Sequence, residues 1–323
     1  MVPGLARLRA QDARAILHAD MPRAIRYSGL PTEQPHPRTR DLDRLPTPAL
    51  LRLMHREDAR VVRAVGRALP QIARAVRLIS SSLRRGGRLV FIGAGTSGRL
   101  GVLEAAECPP TFSTPPSTVQ ALIAGGRGAV FRSREGAEDR RAEARRLATQ
   151  RLRRGDVAVG IAASGVTPFV AEALRTAARR GARTVLVTGH PRPPIRAHCR
   201  ITLAVGPELL TGSTRLKAGT ATKLVLNMLT LGAMAQLGKT YGHLMVDVRP
   251  TSRKLTARAR RIIREVARVS EPAAAAALRK AGGRVPVAVL MAAEGLSVSA
   301  ARRRLARERG SLRRALDPRG QRS

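Results

Sequence analysis

A chain of 323 residues with 43% hydrophobic content has room for one large domain plus a small one and can bury a sizeable core. Aromatic residues are only 2%, so that core is Val, Leu, Ile and Ala, and no apolar run approaches the ~20 residues that span a bilayer. The formal net charge is +38, yet of the 60 basic residues only Lys217, Lys223, Lys239, Lys254 and Lys280 are lysines. The arginines are scattered along every predicted helix, and the aromatics that stack on bases are missing. Nucleic-acid affinity is therefore expected only as a non-specific side property of the charge.

Residues 1–30 read as a basic extension. They carry arginines throughout and no continuous apolar segment, which makes a poor secretory signal. Cys108 and Cys199, with no close spacing, fit a reduced, cytoplasmic protein rather than a disulfide scaffold. A polar, proline-rich arm runs from Thr32 to Arg44. Thr47-Pro48 then reads as the start of a helix reaching about Leu69, and Pro70 as the start of another reaching about Leu83.

The segment from Arg88 to Pro110 has the most chemistry in it. Leu89-Val90-Phe91-Ile92 reads as a buried strand. It stops at Gly93-Ala94-Gly95-Thr96-Ser97-Gly98, and a helical pattern follows that Pro109-Pro110 is expected to end. Strand, glycine loop and helix aim backbone N–H groups and a helix N-terminus at an anion. Gly93, Gly95 and Gly98 also match the dinucleotide pattern G-x-G-x-x-G. That pattern wants an acid about 20 residues on, but the next strand, Val119–Ile123, ends in Ala124-Gly125-Gly126-Arg127. Thr96 and Ser97 suit a phosphate monoester better, so a phosphorylated small molecule is the favoured ligand.

Residues 127–152 read as one helix containing Glu135-Gly136-Ala137-Glu138-Asp139. A third strand, Val157–Ala162, runs into Ala163-Ser164-Gly165-Val166-Thr167-Pro168 and a helix from Phe169 to Arg179. Val185–Val187 and Ile201–Val205 are further strands. This alternation predicts a parallel, three-layer α/β/α sheet. Ligands in such sheets sit beyond the C-terminal strand ends, which puts the loops 93–98 and 163–168 on one edge. Gly212-Ser213-Thr214 precedes a long helix carrying Lys217 and Lys223. Three short helices closed by glycines predict a separate module over 265–316, followed by a tail, 317–323.

Three strings carry a resemblance to one family: IGAGTSGRLGVLEAAECPPTF at 92–112, EGAED at 135–139 and GPELLTGSTRLKAGTATKLVLNML at 206–229. The chain resembles the N-acetylmuramic acid 6-phosphate etherases, members of the sugar-isomerase (SIS) fold related to the glucokinase regulatory protein. GIAASGVTPFV at 160–170, YGHLMVDV at 241–248 and TEQPHPRTRDLDRLPT at 32–47 extend the likeness to roughly 31–315. It implies an SIS sugar-phosphate domain over 31–264 and a C-terminal module similar to a ubiquitin-associated (UBA-like) domain. The implied reaction releases D-lactate from the sugar, leaving N-acetylglucosamine 6-phosphate, by elimination across C2–C3 and addition of water. It uses no metal or nucleotide cofactor.

By the same resemblance Glu107 is the acid and Glu138 the base. Independently, Glu107 falls at the expected end of its helix, where the negative pole disfavours a further negative charge. Glu104 is the competing acid on that helix. Thr96, Ser97, Ser164, Gly165 and Thr167 are the expected sugar-phosphate contacts, with Lys217 a candidate for the site rim; each hydroxyl has the alternative role of a helix cap. The six histidines have no metal-ligand spacing, and Cys108 reads as a packing residue. Where the family usually has an arginine, this chain has Val166. Where it usually reads C-N-P after the fourth strand, this chain has Thr188-Gly189-His190-Pro191. The family also implies a homodimer with a sugar phosphate as its small-molecule partner, while the cysteine usage and the lack of a long apolar run predict a cytoplasmic protein away from membranes. The competing function is a non-catalytic sugar-phosphate regulator of the same fold.

Overall fold

Leu89–Gly93 (β1) has no polar face, as a strand covered on both sides requires, and all of it is buried. The computed structural model describes residues 26–317. Most of the expected basic extension, and nearly all of the expected tail, lie outside the described residues. Helices α1 (Thr47–Arg67) and α2 (Leu69–Arg84) precede β1. After it come α3 (Gly95–Phe112), β2 (Val119–Ile123), α4 (Gly128–Phe131), α5 (Arg141–Arg151), β3 (Val157–Ile161), α6 (Pro168–Arg179), β4 (Arg183–Thr188), β5 (Cys199–Thr202) and α7 (Lys217–Gln236).

The strands form a five-stranded sheet in the order β2-β1-β3-β4-β5, and every neighbouring pair is parallel. Gly93 is in register with both Ile123 and Ile161, so the C-terminal strand ends line up. Val90, Ile92, Ala158 and Leu186 share one core with Phe169, Val170 and Leu174 of α6 and with Ala144 and Ala148 of α5. The other face meets α3: a Cβ added at Gly101 would lie 2.9 Å from Phe91 Cβ. Helices therefore cover both faces, giving the three layers expected.

Two expected helix limits are corrected. Helix α3 runs through Pro109 and Pro110 to Phe112. The prolines remove the donors that would reach the carbonyls of Ala105 and Ala106, but Ser113 N–H still donates to Pro109 O at 3.0 Å. The stop is Ser113 itself, in the left-handed region at φ 50°. The single helix expected over 127–152 is broken into α4, a loop, a 3-10 turn at Ala137–Asp139 and α5. Gly136, at φ 67°, takes a conformation no helix interior holds.

The described residues divide into two compact units, residues 26–106 with 117–230 and residues 107–116 with 231–317. The second unit contains α8 (Arg253–Ala267), α9 (Glu271–Lys280), α10 (Val285–Glu294), α11 (Val298–Arg307) and α12 (Leu312–Leu316). Ser252, Ser270, Ser297 and Ser311 each cap a helix through the side-chain oxygen. Its core joins Ile262 and Ile263 of α8 to Leu278, Val287, Val289, Leu305 and Leu312. The helical part thus begins with α8, ahead of residue 265, because the apolar stripe of α8 belongs to the same core. No single helix among the described residues is long and apolar enough to cross a bilayer.

The β1–β3 junction is fixed by Asp156, which is 0% exposed. Its carboxylate accepts from Arg88 N–H (2.9 Å), Arg153 N–H (3.0 Å) and the Arg88 guanidinium (2.7 Å). Asp156→Ala would leave these donors without an acceptor. Urea unfolding of that variant is expected to show a loss of about 3–5 kcal/mol, the range for breaking a buried pair from one side.

Candidate functional site

The loop after β1 is built by close approach. A Cβ at Gly93 would lie 2.6 Å from Gly98 N, and one at Gly98 would lie 2.6 Å from Ile123 Cγ1. Only glycine permits both. Gly95 sits at φ 52°, and α3 starts there. Gly98 N–H donates to Ala94 O at 3.2 Å. The N–H groups of Gly95, Thr96 and Ser97 precede any intrahelical acceptor. They lie at the positive pole of a long helix, the natural seat of an anion. Thr96 and Ser97 are half-buried beside them.

The second turn is built at the end of β3. Gly165 N–H donates to Ala162 O at 2.9 Å, and Gly165 is at φ 76°. Thr167 is the N-cap residue of α6, yet its side chain makes no cap hydrogen bond, so that hydroxyl is not taken up by a helix end. Ser164 Oγ accepts weakly from Val166 N–H at 3.4 Å. The chain moves outward from β1 to β2 on one side and from β3 to β4 on the other. The crevice between these two loops is therefore the topological switch point where such sheets take ligands.

Glu138 reaches the same edge on the 3-10 turn rather than on a helix. A Cβ at Gly125, in the loop after β2, would lie 3.2 Å from Ala137 Cβ and 3.0 Å from Arg134 Cδ. The segment 134–138 therefore lies directly on that loop. Partial desolvation, then the negative charges of Asp139 and Glu135, push the Glu138 carboxyl above the ordinary glutamate value. The side chain is nevertheless at the surface, so a reagent can reach it.

Glu107 is exposed on α3. Because the helix continues to Phe112, it is not the terminal residue, and the expected support from the helix pole is withdrawn. Glu104 is buried and already engaged. Its carboxylate accepts from Thr230 Oγ1 and pairs with Lys223 Nζ at 3.3 Å. That makes Glu104 a bond between α3 and α7.

Lys217, expected at the rim, is instead an interior residue at 1% exposure. Its ammonium pairs with Glu57 of α1 at 2.8 Å, and His36 Nε2 of the N-terminal arm lies 3.3 Å from the same oxygen. Burial alone would raise the Glu57 carboxyl. The Lys217 hydrogen bond and charge, with His36 and Arg60, outweigh it and hold Glu57 below the ordinary value. Glu208 caps α7, its carboxylate accepting from the Lys217 and Ala218 N–H groups at 3.0 and 2.9 Å. The α7 N-terminus thus already holds an anion of the protein's own. Its first turn reaches the cradle, since a Cβ at Gly219 would lie 3.7 Å from Thr96 Cγ2.

The loop after β4 was not expected in the site. A Cβ at Gly165 would lie 2.7 Å from His190 Cβ, which sets His190 against the second turn. The departure from the family pattern at 188–191 was the available signal. Among the described residues, no group of three or more His, Cys, Asp or Glu is arranged to hold a metal ion.

Comparison with known proteins adds the following. The model of the glucokinase regulatory protein N-terminal SIS domain matches residues 71–178, and the SIS domain model matches residues 140–232. The chain is 48% identical to the N-acetylmuramic acid 6-phosphate etherase of Salmonella choleraesuis, over 89% of this chain and 98% of that one. It is 48% identical to the etherase of the same name from Synechocystis, over 88% and 95%. Among solved structures, the phosphoheptose isomerase of Neisseria gonorrhoeae is 19% identical with a TM-score of 0.43, covering 57% of this chain and 98% of that one.

The interior position of Lys217 has a measurable consequence. Lys217→Ala strands the buried Glu57 charge and is expected to lower stability by about 3–5 kcal/mol. A rim lysine would change stability by no more than about 0.5 kcal/mol. Chemical denaturation of the variant distinguishes the two.

Proposed function

The chain belongs to the N-acetylmuramic acid 6-phosphate etherase family, and we propose that it is a carbon–oxygen lyase releasing D-lactate from N-acetylmuramic acid 6-phosphate. The observation that carries this reading is the 48% identity running over 89% of the chain. The site chemistry agrees with it. The 6-phosphate is held by the α3 first turn at Thr96 and Ser97, with Ser164, Gly165 and Thr167 on the facing turn. A ring-opened sugar has a C1 aldehyde that acidifies the C2 proton. Glu138 takes that proton, and the C–H electrons form the C2=C3 bond as the C3–oxygen bond breaks. Glu107 gives a proton to the departing D-lactyl oxygen. Water then adds at C3, yielding N-acetylglucosamine 6-phosphate.

A base works best when its pKa approaches the working pH, and the raised carboxyl of Glu138 suits that task. A regulator that only bound the sugar phosphate would need no such group. Membership of the family also suggests a homodimer, with active sites near subunit contacts. Cys108 and Cys199 are buried and form no disulfide, which fits a reducing compartment, and with it action in the cytoplasm.

D-lactate release from N-acetylmuramic acid 6-phosphate tests the reading. Glu138→Ala is expected to lower kcat by about 10²–10⁴-fold, the range for a lost general base, and Glu107→Ala by a comparable factor. A folded wild type that releases no lactate would leave the regulator. The pH profile is a second check. Glu138 must be ionised to act, so kcat/KM falls as pH drops through its raised pKa. Asp139→Asn removes a like charge that raises that pKa, so the acidic limb should move to lower pH. An unmoved limb would mean that another group sets it.

A further inference from the structure

The loop after β4 packs against the second turn and carries an imidazole able to donate a hydrogen bond, that of His190. Thr188 Oγ1 accepts from His190 N–H at 3.0 Å, and Gly189 N–H donates to Ala163 O at 2.9 Å. The loop is thereby tied to the end of β3. Gly165, with its Cα facing His190 and Pro193, leaves no gap between the two loops. The imidazole is fixed as well. His190 Nδ1 accepts from Arg192 N–H at 3.0 Å, so in the neutral ring the proton must be on Nε2. Nε2 is on the opposite edge of the ring from this contact, and it has no hydrogen-bond partner among the described residues. Burial lowers the pKa of His190, which keeps this tautomer, a donor at Nε2, in place at neutral pH.

Ser164 and Thr167 bring hydroxyls to the second turn, but of the two residues between them Gly165 has no side chain and Val166 is apolar and buried. We propose that His190 is a phosphosugar-binding residue, donating its Nε2–H to the phosphate group seated between the α3 first turn and the Ser164–Thr167 turn. This rests on the reading of that crevice as the phosphosugar site, and it deepens it by naming a donor outside both strand-end turns.

The alternative role for His190 is to hold its own loop through Nδ1, and two conservative variants separate the roles. A glutamine side chain presents an N–H near the Nε2 position. An asparagine presents an acceptor near the Nδ1 position but reaches no farther. Calorimetric titration with N-acetylglucosamine 6-phosphate is the readout, with N-acetylglucosamine as the control lacking the phosphate. His190→Ala and His190→Asn should weaken binding about tenfold, as expected for losing one hydrogen bond to a charged group. His190→Gln should stay within about threefold of wild type, since the bond is kept. Rescue by Asn and not by Gln, an unchanged affinity in His190→Ala, or no phosphosugar binding by the wild type would each overturn the proposal. Because the readout is binding, it separates from the etherase reading. The expected titration pattern in a wild type that releases no lactate would support the donor and remove the enzyme. Lactate release with no effect of His190→Ala on affinity would do the reverse.

Discussion

The structure depends on one close approach, that of the α3 first turn to the end of β1. Gly93 and Gly98 pack backbone against backbone and against Ile123, at distances no Cβ allows. This seats a helix N-terminus directly over the centre of a parallel sheet. Its first N–H groups have no acceptor of their own. They are therefore available to a phosphate in a position fixed by the two most buried strands, β1 and β3. Neither hydroxyl nor carboxylate at this edge would be well placed if that approach were loosened.

The same geometry explains the arrangement of the charged interior. Helix α7 presents a second N-terminus close to the first, and Glu208 neutralises it from within. Buried deeply, Glu208 has its carboxyl pushed up, against the pull of the Ala218 and Lys217 amides. One helix pole is thus closed by the protein and the other left open. Glu57–Lys217 and Glu104–Lys223 then clamp α7 to α1 and α3. Pairs of this kind contribute little net stability, because desolvation offsets their attraction, but each is costly to break from one side. They fix where α7 meets Thr96.

Much of this was legible in the sequence, for physical reasons. Uninterrupted apolar runs alternating with helical periodicity indicate a covered parallel sheet, and Gly-rich strand ends flanked by Thr and Ser marked the C-terminal edge of that sheet. The misjudged features were those decided by tertiary contacts. Pro109-Pro110 reads as a stop, but a helix loses only two bonds there. Gly136 was read through, although a glycine in an otherwise charged run was the sign of a break and of the turn that carries Glu138. Lys217 was assigned to the rim because sequence cannot distinguish a solvated lysine from one opposite a buried glutamate. A lysine kept in an arginine-dominated chain was the signal. For His190 the only signal is the departure from the family pattern at 188–191, since its contact with Gly165 is between neighbours only in space.

The most direct measurement is a crystal structure of the protein with N-acetylglucosamine 6-phosphate bound. The expected result is phosphate oxygens within hydrogen-bonding distance of the Thr96 and Ser97 N–H groups, with Ser164 and Thr167 on the facing side. A phosphate found elsewhere, such as the groove of the second unit lined by Ser252, Arg253 and Arg260, with the α3 first turn empty, would contradict it.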